Sequence, residues 1–422
     1  SAIYGPQYRL ARRFALDRLL AEARRCRDCD HATCVRGCPA QIDIPSFIKA
    51  FADGDIKTSY AVLKEKNVLP EMCGEICPAC EQCQGQCIED IFCKKPIPIQ
   101  DIQLVVARTA RLQGLTGVQL PESPSGKRVA MVGGGPASLA CAVKLLECGH
   151  HVTILEKGRQ LGGTPDTTIP RERYGDAHAE IEAILAPAKE AGRVDITYET
   201  GLGNGLTLDT LRAEYDAVFL GIGLSESTSL GKAKGVMDAL QFLAEAKRGD
   251  LGVEDIGHRV AVLGAGNTAM DAGTTALRLG ARDVYMVYRR SFKEMPAWTN
   301  ERDDYLEAGG HVLLLTQPLG YETDENGQLC GLQVARTELG EPDESGRRRP
   351  QVLPGSEFTL EVDTVIEAMG QGLSLSAKSA LGSLDFTDKG LVAVQGDSRQ
   401  TSLADVFAGG DIVNGGTTAV QG

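Results

Sequence analysis

Ten of the 13 cysteines are crowded into one short part of the sequence, between Cys26 and Cys93. The first group reads Cys26-x2-Cys29-x4-Cys34-x3-Cys38-Pro39. The second group contains Cys73, Cys77, Cys80, Cys83, Cys87 and Cys93. Closely spaced thiolates can bind several irons from one loop, and two [4Fe–4S] cubes need about eight ligands. Structural zinc also uses Cys-x2-Cys pairs, but ten cysteines without suitably spaced histidines favour two cubes. Disulfides are disfavoured, because no export signal is visible.

A glycine-rich turn follows the first predicted strand. Residues 129–132 (VAMV) lead into GGGPAS, a G-x-G-x-x-G/A fingerprint with Ser138 at the third small position. Gly133 permits a tight turn, and Gly135 lets the backbone approach a pyrophosphate at a helix N-terminus. Glu156 stands 23 residues after Gly133, where an acid can accept hydrogen bonds from a ribose. The predicted dinucleotide-binding residues here are Gly133, Gly135, Pro136, Ala137, Glu156, Lys157 and Gly163.

The far end of the chain contains a complementary motif. Residues 405–411 (DVFAGGD) look like the second FAD motif of two-domain flavoproteins, in which Asp411 would bind the ribityl chain. Residues 417–420 are expected to begin a helix aimed at the flavin pyrimidine, because a helix N-terminus favours the negative charge that appears on reduction. The predicted residues are Gly410, Asp411, Thr418 and Ala419. We expect the polypeptide to continue beyond Gly422, where this helix starts.

A second strand–glycine–helix unit predicts the nicotinamide site. Residues 260–263 (VAVL) lead into GAGNTAMD, and the next strand ends in Tyr288-Arg289-Arg290. An NAD-specific site usually has an acid near that position, whereas arginines suit the 2′-phosphate of NADPH. Solvated surface arginines are the alternative, so NADH stays open. The predicted residues are Gly264, Gly266, Asn267, Thr268, Arg289 and Arg290.

Several motifs together resemble one family. They are Cys26 to Pro39, residues 67–70 (NVLP), Cys73-Gly74-x2-Cys77-Pro78-x4-Cys83-x3-Cys87, and Pro96-Ile97-x-Ile99-x3-Gln103. Over essentially the whole chain, the sequence resembles the small subunit of bacterial glutamate synthase. It is also similar to the N-terminal half of dihydropyrimidine dehydrogenase, to the larger subunit of NADH-dependent ferredoxin:NADP oxidoreductase, and to the NAD(P)H:acceptor oxidoreductase that serves sulfite reductase.

The resemblance implies the ligands of two [4Fe–4S] clusters. One cluster would be bound by Cys26, Cys29, Cys34 and Cys87. The other would be bound by Cys38, Cys77, Cys83 and Gln103. This sequence departs from the family pattern at Cys80 and Cys93, either of which could replace Gln103. Cys73 is expected to pack near the clusters rather than to ligate one.

The elements that position these residues follow from periodicity. Apolar residues at helical spacing predict helices over residues 9–25, 45–66 and 99–112, and no strand pattern precedes residue 127. Strands and helices then alternate, which indicates parallel sheets. The predicted fold class is α/β, a helical iron–sulfur domain followed by two Rossmann-like domains. The predicted boundaries are a helical domain at 1–115, a linker at 116–126, an FAD domain at 127–240 and 371–422 with an incomplete C-terminal end, and an NAD(P)H domain at 241–370.

These predictions combine into an electron relay. NAD(P)H would pass hydride to FAD, and single electrons would leave through the clusters to a redox partner or second subunit. Glutamate synthase large subunit, a ferredoxin and sulfite reductase are the candidate acceptors. We expect no catalytic acid or base, because hydride transfer depends chiefly on positioning. A flavin disulfide reductase is an alternative, disfavoured because no Cys-x2-Cys or Cys-x4-Cys pair follows Cys93. A non-catalytic assembly subunit with structural clusters is another.

Composition limits the setting of this relay. The chain has 422 residues, 42% of them hydrophobic, and a formal net charge of −13. The charge argues against nucleic acid as a partner. No apolar run approaches the ~20 residues that span a bilayer. The first residues lack the apolar core of a signal peptide, so a cytoplasmic location is expected. A homo-oligomer is left open.

Overall fold

The computed structural model describes residues 16–203, 206–224, 226–342 and 348–422. They form two compact units. The first contains the residues up to Asp166, Arg171–Leu224 and Leu373–Gly422, and the second contains Thr167–Pro170 and Ser225–Gly372. The helical iron–sulfur segment and the first glycine-rich turn therefore belong to one unit, and the second glycine-rich turn belongs to the other.

In the N-terminal part of the first unit, helices are the only regular secondary structure among the described residues. Its helices are α1 (Leu16–Ala23), α2 (Thr33–Gly37), α3 (Ile44–Ala52), α4 (Ile56–Lys66), α5 (Pro70–Ile76), α6 (Ile88–Cys93) and α7 (Ile99–Leu112). Their core includes Phe47 and Phe51 from α3, Leu63 from α4 and Ile102 from α7, none more than 1% exposed. The helix predicted over residues 99–112 matches α7, whereas the start of the one predicted over 9–25 lies outside the described residues.

The helix predicted over residues 45–66 is two helices, so that prediction is wrong. The Asp43 carboxylate accepts from the Ser46 N–H at 3.3 Å and starts α3. The Asp55 carboxylate accepts from the Thr58 N–H at 3.0 Å and starts α4. Between them Gly54 has a φ of +81°. An acidic N-cap after a left-handed glycine ends one helix and starts the next.

The rest of the first unit is built on a five-stranded parallel sheet. Its elements before the second unit are β1 (Arg128–Val132), α8 (Pro136–Glu147), β2 (His151–Leu155), α9 (Thr164–Thr167), α10 (His178–Glu190), β3 (Val194–Thr197), α11 (Leu208–Glu214) and β4 (Ala217–Leu220). The second residue of β1, Val129, pairs with Val152 of β2 and Ala217 of β4. The predicted linker is anchored, because the buried Val118 donates its N–H to the Ile184 carbonyl of α10 at 2.9 Å.

The second unit contains another five-stranded parallel sheet and an antiparallel one. Its elements are β5 (Glu226–Ser227), β6 (Val236–Asp238), α12 (Ala239–Arg248), α13 (Val253–Ile256), β7 (Arg259–Leu263), α14 (Asn267–Leu279), β8 (Asp283–Val287), α15 (Thr299–Glu307), β9 (His311–Leu313), β10 (Thr316–Thr323), β11 (Leu329–Pro342), β12 (Arg348–Val352), β13 (Phe358–Leu360), β14 (Thr364–Glu367) and β15 (Gln371–Gly372). The parallel sheet has the order β6-β14-β7-β8-β9. Strands β10 to β13 form the antiparallel sheet, which the sequence analysis does not anticipate. Residues 225–240 were assigned to the FAD domain, but here β6 pairs with β14 in the second unit.

The chain then returns to the first unit through α16 (Leu375–Leu381), β16 (Val406–Ala408) and α17 (Asp411–Asn414). Strand β16 completes the first sheet, whose order is β16-β4-β1-β2-β3. Since parallel strands place their carboxyl ends at one edge of a sheet, the turns after β1, β2, β4 and β16 all lie along that edge. None of the helices in the described part of the chain is both long and apolar enough to cross a membrane.

Candidate functional site

Several of the predicted ligand cysteines are close enough to influence one another's charge. Burial and then the neighbouring Cys87, Cys26 and Cys29 thiols raise the pKa of Cys34 to about 12. Burial and then the neighbouring Cys38 raise the pKa of Cys83 to about 12, and Cys34 contributes as well. Half-buried thiols that repel each other's charge require cationic partners before they can exist as thiolates.

Close backbone approach brings the two cysteine-bearing loops together. Gly37 immediately precedes Cys38, and a Cβ on it would lie 2.8 Å from the carbonyl oxygen of Gln82. The Thr33 hydroxyl donates to the Gln86 carbonyl. At the other side of the second loop, the Gln100 amide donates to the Cys77 carbonyl at 2.8 Å. These contacts join the two cysteine-bearing loops to each other and join the second loop to α7.

The remaining candidate ligands occupy different surroundings. Gln103 is buried one turn beyond Gln100 on α7, and its Nε2 donates to the Pro70 carbonyl at 2.9 Å. Cys73 is buried with its Sγ 3.7 Å from the Asn67 carboxamide oxygen. Cys80 and Cys93 are exposed. Gln103 therefore has a restrained, buried amide on α7, and its role as a ligand stays a prediction.

Iron–sulfur ligation fits this arrangement better than a mononuclear ion. Across the described ranges, no three His, Cys, Asp or Glu side chains converge closely enough to hold one metal ion. In a cube each thiolate binds a different iron, so the ligands surround the cluster instead of meeting at a point. Two groups of thiols on hydrogen-bonded loops can surround a cluster in this way.

The first glycine-rich turn is closed by a neighbouring strand. Gly133 has a φ of +96°, and a Cβ on it would lie 2.5 Å from the carbonyl oxygen of Gly221, the residue after β4. Gly221 in turn donates its N–H to the Val132 carbonyl at 2.9 Å. Helix α8 begins at Pro136 after Gly135, and no side chain caps it within the described residues. Its first N–H groups are thus directed at the turn, as an anion requires.

The predicted ribose-binding acid is oriented by the turn itself. Glu156 is buried at the end of β2, and its two carboxylate oxygens accept from the Gly134 and Gly158 N–H groups, both at 2.6 Å. A carboxylate has lone pairs left for hydroxyl donors after two such bonds. Gly163 approaches closely as well, since a Cβ on it would lie 2.8 Å from the Gly135 Cα. Lys157 is exposed.

The C-terminal motif lies against the same turn. Gly410 has a φ of +75°, and a Cβ there would lie 2.9 Å from the Ala137 Cβ. Burial raises the pKa of Asp411, whose carboxylate accepts from the Thr417 N–H at 3.1 Å. Thr418 caps a short 3₁₀ turn over Ala419–Gln421. Sequence motifs from opposite ends of the chain thus meet at one place in the first unit.

A contact that the sequence analysis missed joins this turn to the cysteines. The Gln82 side-chain amide donates to the Thr418 hydroxyl at 3.5 Å, and Gln82 immediately precedes Cys83. The two residues are 336 positions apart, so no local pattern could reveal it. The predicted flavin site and the second cysteine loop are therefore direct neighbours.

The second glycine-rich turn repeats the construction of the first. Gly264 has a φ of +121°, and a Cβ on it would lie 2.3 Å from the carbonyl oxygen of Ala368, the residue after β14. Ala368 donates its N–H to the Leu263 carbonyl at 2.8 Å. Helix α14 starts after Gly266 with no side-chain cap among the described residues. Asn267 Oδ1 accepts from the Trp298 N–H at 2.9 Å, and Thr268 is half-buried in the first turn of α14.

The two arginines follow the adjacent strand of the same sheet. Arg289 is exposed, and Arg290 is half-buried with its Nε donating to the Arg348 carbonyl at 2.9 Å. The segment after them folds back over the glycine-rich turn, since Ala297 donates to the Ala265 carbonyl at 3.1 Å. The segment that ends at Ala297 therefore lies over the second glycine-rich turn.

A buried carboxylate outside every predicted site connects two parts of the first unit. Glu180 of α10 accepts from the backbone N–H groups of Glu71 and Met72 at 2.7 and 2.8 Å, and so caps α5. Burial raises the pKa of Glu180 to about 8, against the two hydrogen bonds that favour its charged form. No sequence motif indicated this role, because the partners are more than 100 positions apart.

These features define a class: a two-dinucleotide-binding oxidoreductase with an N-terminal iron–sulfur domain. Residues 8–115 match the family model described as dihydropyrimidine dehydrogenase domain II, 4Fe–4S cluster. Residues 96–237 and 127–422 match the pyridine nucleotide-disulphide oxidoreductase model. The structure of Mycobacterium tuberculosis FprA in complex with NADPH has the same fold, with a TM-score of 0.57 at 18% identity over 70% of this chain and 80% of that one.

Relatives extend over nearly the whole chain. The glutamate synthase [NADPH] small chain of Escherichia coli K12 is 34% identical, over 95% of this chain and 87% of the relative. The NADP(+)-dependent formate dehydrogenase subunit beta of Moorella thermoacetica is 36% identical, over 92% of this chain and 58% of the relative. The NADPH-Fe(3+) oxidoreductase subunit beta of Geobacter sulfurreducens is 35% identical, over 92% and 61%. The chain thus spans about three fifths of the last two.

The chain belongs to the pyridine nucleotide-disulphide oxidoreductases and, among them, to the family of the glutamate synthase small chain. The predicted resemblance and the predicted fold class are confirmed. The class is that of flavin-containing, NAD(P)H-dependent oxidoreductases with a 4Fe–4S domain.

Proposed function

We propose that this chain is an NAD(P)H:acceptor oxidoreductase that delivers single electrons to a partner redox subunit. FAD would supply hydride acceptance, and two [4Fe–4S] clusters would supply one-electron transfer, when bound. NADPH would be the preferred donor, and NADH the weaker one. The setting is cytoplasmic. The domain division is that of the sequence analysis, with the boundary between the FAD and NAD(P)H domains moved to residue 225.

The chain's own residues would hold each group as follows. The turn at Gly133 and Gly135 and the first N–H groups of α8 would bind the FAD pyrophosphate, while the carboxylates of Glu156 and Asp411 would accept from its ribose and its ribityl chain. The remaining FAD contacts are with Pro136, Ala137, Lys157, Gly163, Gly410, Thr418 and Ala419. The turn at Gly264, Gly266, Asn267 and Thr268 binds the NADPH pyrophosphate, and Arg289 and Arg290 bind its 2′-phosphate. The clusters are bound by Cys26, Cys29, Cys34 and Cys87, and by Cys38, Cys77, Cys83 and Gln103.

The observation that supports the relay most is the contact between Gln82 and Thr418. Gln82, the residue before Cys83, contacts the turn on which the flavin ring would rest. The distance that an electron travels between the flavin and that cluster would therefore be short. A disulfide reductase would need a cysteine pair beside that turn instead. The Thr418 hydroxyl bonds with Gln82 and Gln421, and the Asp411 carboxylate accepts from Thr417, so the cysteine-bearing loop in contact with this turn is the proposed cluster loop.

Anaerobic titration with NADPH, repeated with NADH, tests the proposal. Flavin absorbance and cluster EPR signals are followed together in the same sample. We expect less than one equivalent of NADPH to bleach flavin partially while electrons appear on clusters. Flavin that bleaches while every cluster stays oxidised would refute the relay. Turnover of a low-molecular-weight disulfide would favour the disulfide reductase.

A further inference from the structure

One short helix beside the first cysteine group presents apolar side chains to solvent. Helix α6 begins directly after Cys87, and its Ile91 and Phe92 side chains are 57% and 70% exposed. Among exposed aromatic side chains of the described residues, Phe92 is the most exposed. Two adjacent large apolar residues in water next to a proposed cluster ligand require an explanation, since single exposed apolar residues are ordinary and clustered ones mark contacts.

The helix that carries these two side chains is joined to a neighbouring segment in which basic residues predominate. The Arg25 guanidinium donates to the Lys95 carbonyl at 2.6 Å, and the Lys95 ammonium lies 2.7 Å from the Glu22 carboxylate. Arg27 pairs with Glu89 of α6. These contacts join residues 22–27 to residues 89–95. Together the two segments contain five basic side chains (Arg24, Arg25, Arg27, Lys94 and Lys95) against three acidic ones (Glu22, Glu89 and Asp90).

This local charge is opposite to that of the whole chain, which carries −13. We name Ile91 and Phe92, with the five basic residues, the α6 patch. The two segments together carry a net charge of +2, and an apolar centre with a polar rim is the composition of a protein-docking surface. The positive excess favours the approach of an acidic partner, and the apolar centre supplies contact area once that partner has arrived.

The position of the α6 patch fits the end of the proposed electron path. At one end of the path, Gln82 contacts Thr418 next to the flavin turn. The loop of Cys83 comes next, and it continues to Gln86, whose carbonyl accepts from the hydroxyl of Thr33, the residue before Cys34. Cys34 belongs to the group of Cys87, from which α6 leads directly to the surface. Of the two proposed clusters, the one next to the α6 patch is therefore the one farther from the flavin.

Resting on the proposed function, we propose that the α6 patch docks a small, acidic, one-electron carrier protein. One NADPH and two oxidised carriers would yield NADP⁺, one proton and two reduced carriers, each carrier taking one electron from the cluster bound by Cys26, Cys29, Cys34 and Cys87. Docking on α6 brings the carrier's redox centre close to Cys87. Phe92 would be the central apolar contact, and the Lys94 ammonium would attract the acidic surface of the carrier.

A neighbouring groove provides the competing site. It has a volume of about 550 Å³ beside Cys29 and is lined by Asp28, Asp30, Asp43, His31 and Arg36, among others. Its acidic residues suit a basic carrier instead. The two surfaces therefore predict opposite charge preferences, which an experiment can separate.

The test uses Phe92→Asp and Lys94→Gln, with Leu375→Asp as the matched control. Leu375 is 82% exposed on α16, a helix that packs against the five-stranded sheet of the first unit. The probes are an acidic [2Fe–2S] ferredoxin, basic cytochrome c and ferricyanide, each reduced by NADPH under anaerobic conditions. We expect F92D to lower kcat/KM for ferredoxin at least tenfold and K94Q to lower it several-fold with a weaker salt dependence. L375D should match wild type, and ferricyanide should not distinguish the variants.

Two readouts separate the failure of this proposal from that of the proposed function. If NADPH leaves the clusters of the wild type oxidised, the proposed function fails. If the clusters are reduced but ferredoxin is not, or F92D serves ferredoxin at the wild-type rate, the docking proposal fails. Faster reduction of cytochrome c with no effect of F92D would assign docking to the acidic groove. A wild type that is dimeric where F92D is monomeric would assign the α6 patch to self-association, which also overturns the proposal.

Discussion

Replacing Gly264 with alanine should disable one nucleotide site and leave the other intact. A Cβ on Gly264 would lie 2.3 Å from the Ala368 carbonyl oxygen, whereas real Cβ atoms essentially never approach closer than 3.0 Å. The turn or the end of β14 must therefore move by at least the difference, 3.0 − 2.3 = 0.7 Å. That movement strains the hydrogen bond from the Ala368 N–H to the Leu263 carbonyl.

The magnitude has two parts. An alanine with a φ of +121° is strained by about 1–3 kcal/mol. Relieving the overlap adds about 1–3 kcal/mol more. The two parts together come to about 2–6 kcal/mol. Since each 1.4 kcal/mol is a factor of ten, we expect NADPH to bind roughly 30- to 20,000-fold more weakly.

Gly370→Ala isolates the first part. Gly370 also has a φ of +121°, but a Cβ on it would meet no atom within 4 Å. This variant should bind NADPH at least about fivefold more tightly than G264A, because it lacks the overlap. NADPH affinity is measured from flavin bleaching in anaerobic titrations, and FAD content from absorbance after gel filtration. Equal NADPH affinity in the two variants, with FAD retained in both, would refute the steric reasoning.

Four other predictions follow from the same geometry. Gly133→Ala, whose Cβ would lie 2.5 Å from the Gly221 carbonyl, should lose FAD on gel filtration while a nucleotide affinity resin still retains the protein. Arg289→Ala combined with Arg290→Ala should raise KM for NADPH about tenfold or more, with KM for NADH unchanged, since a lost charge-assisted hydrogen bond is worth about 1.5–3 kcal/mol. Gln103→Leu should change the EPR spectrum of one cluster, whereas Cys80→Ser should change neither. Burial raises the pKa of Glu180 to about 8, so the contribution of its protonated form to stability is full below pH ~4.5 and is lost as pH rises through 8. The apparent Tm of wild type should therefore fall relative to that of Glu180→Gln between pH 5 and 9. The opposite trend would mean that the two N–H donors outweigh burial.

The parts of the fold that the sequence predicts are those coded locally. The runs at residues 129–132 and 260–263 lie in strands Arg128–Val132 and Arg259–Leu263, because each is a short apolar run ended by a glycine turn. Helix Ile99–Leu112 likewise matches its apolar repeat. The break at Gly54 was missed although its acidic caps are visible in the sequence. The antiparallel strand Leu329–Pro342 was not predicted. Buried and exposed residues alternate along it, but it does not belong to the succession of strands and helices that indicates a parallel sheet.

Relations between distant residues were beyond sequence reasoning. The glycine fingerprints predict tight turns, but not that the carbonyls of Gly221 and Ala368 occupy the space of the missing Cβ atoms. Those carbonyls come from strands that become neighbours only in the folded sheet. The contact of Gln82 with Thr418 has the same origin. The division of the proposed ligands between two clusters, by contrast, comes from the family resemblance and stays a prediction.

The cap that Glu180 places on α5 has a consequence for biosynthesis. During translation the helical segment up to Leu112 leaves the ribosome before residue 180 has been made. Until then the Glu71 and Met72 N–H groups lack the acceptor that they have in the finished protein, and α5 leads directly to Cys77. We therefore expect the second cysteine loop to acquire its final geometry only after α10 has docked. Cofactor maturation would then be ordered, with the nucleotide-binding fold preceding insertion of the cluster next to it.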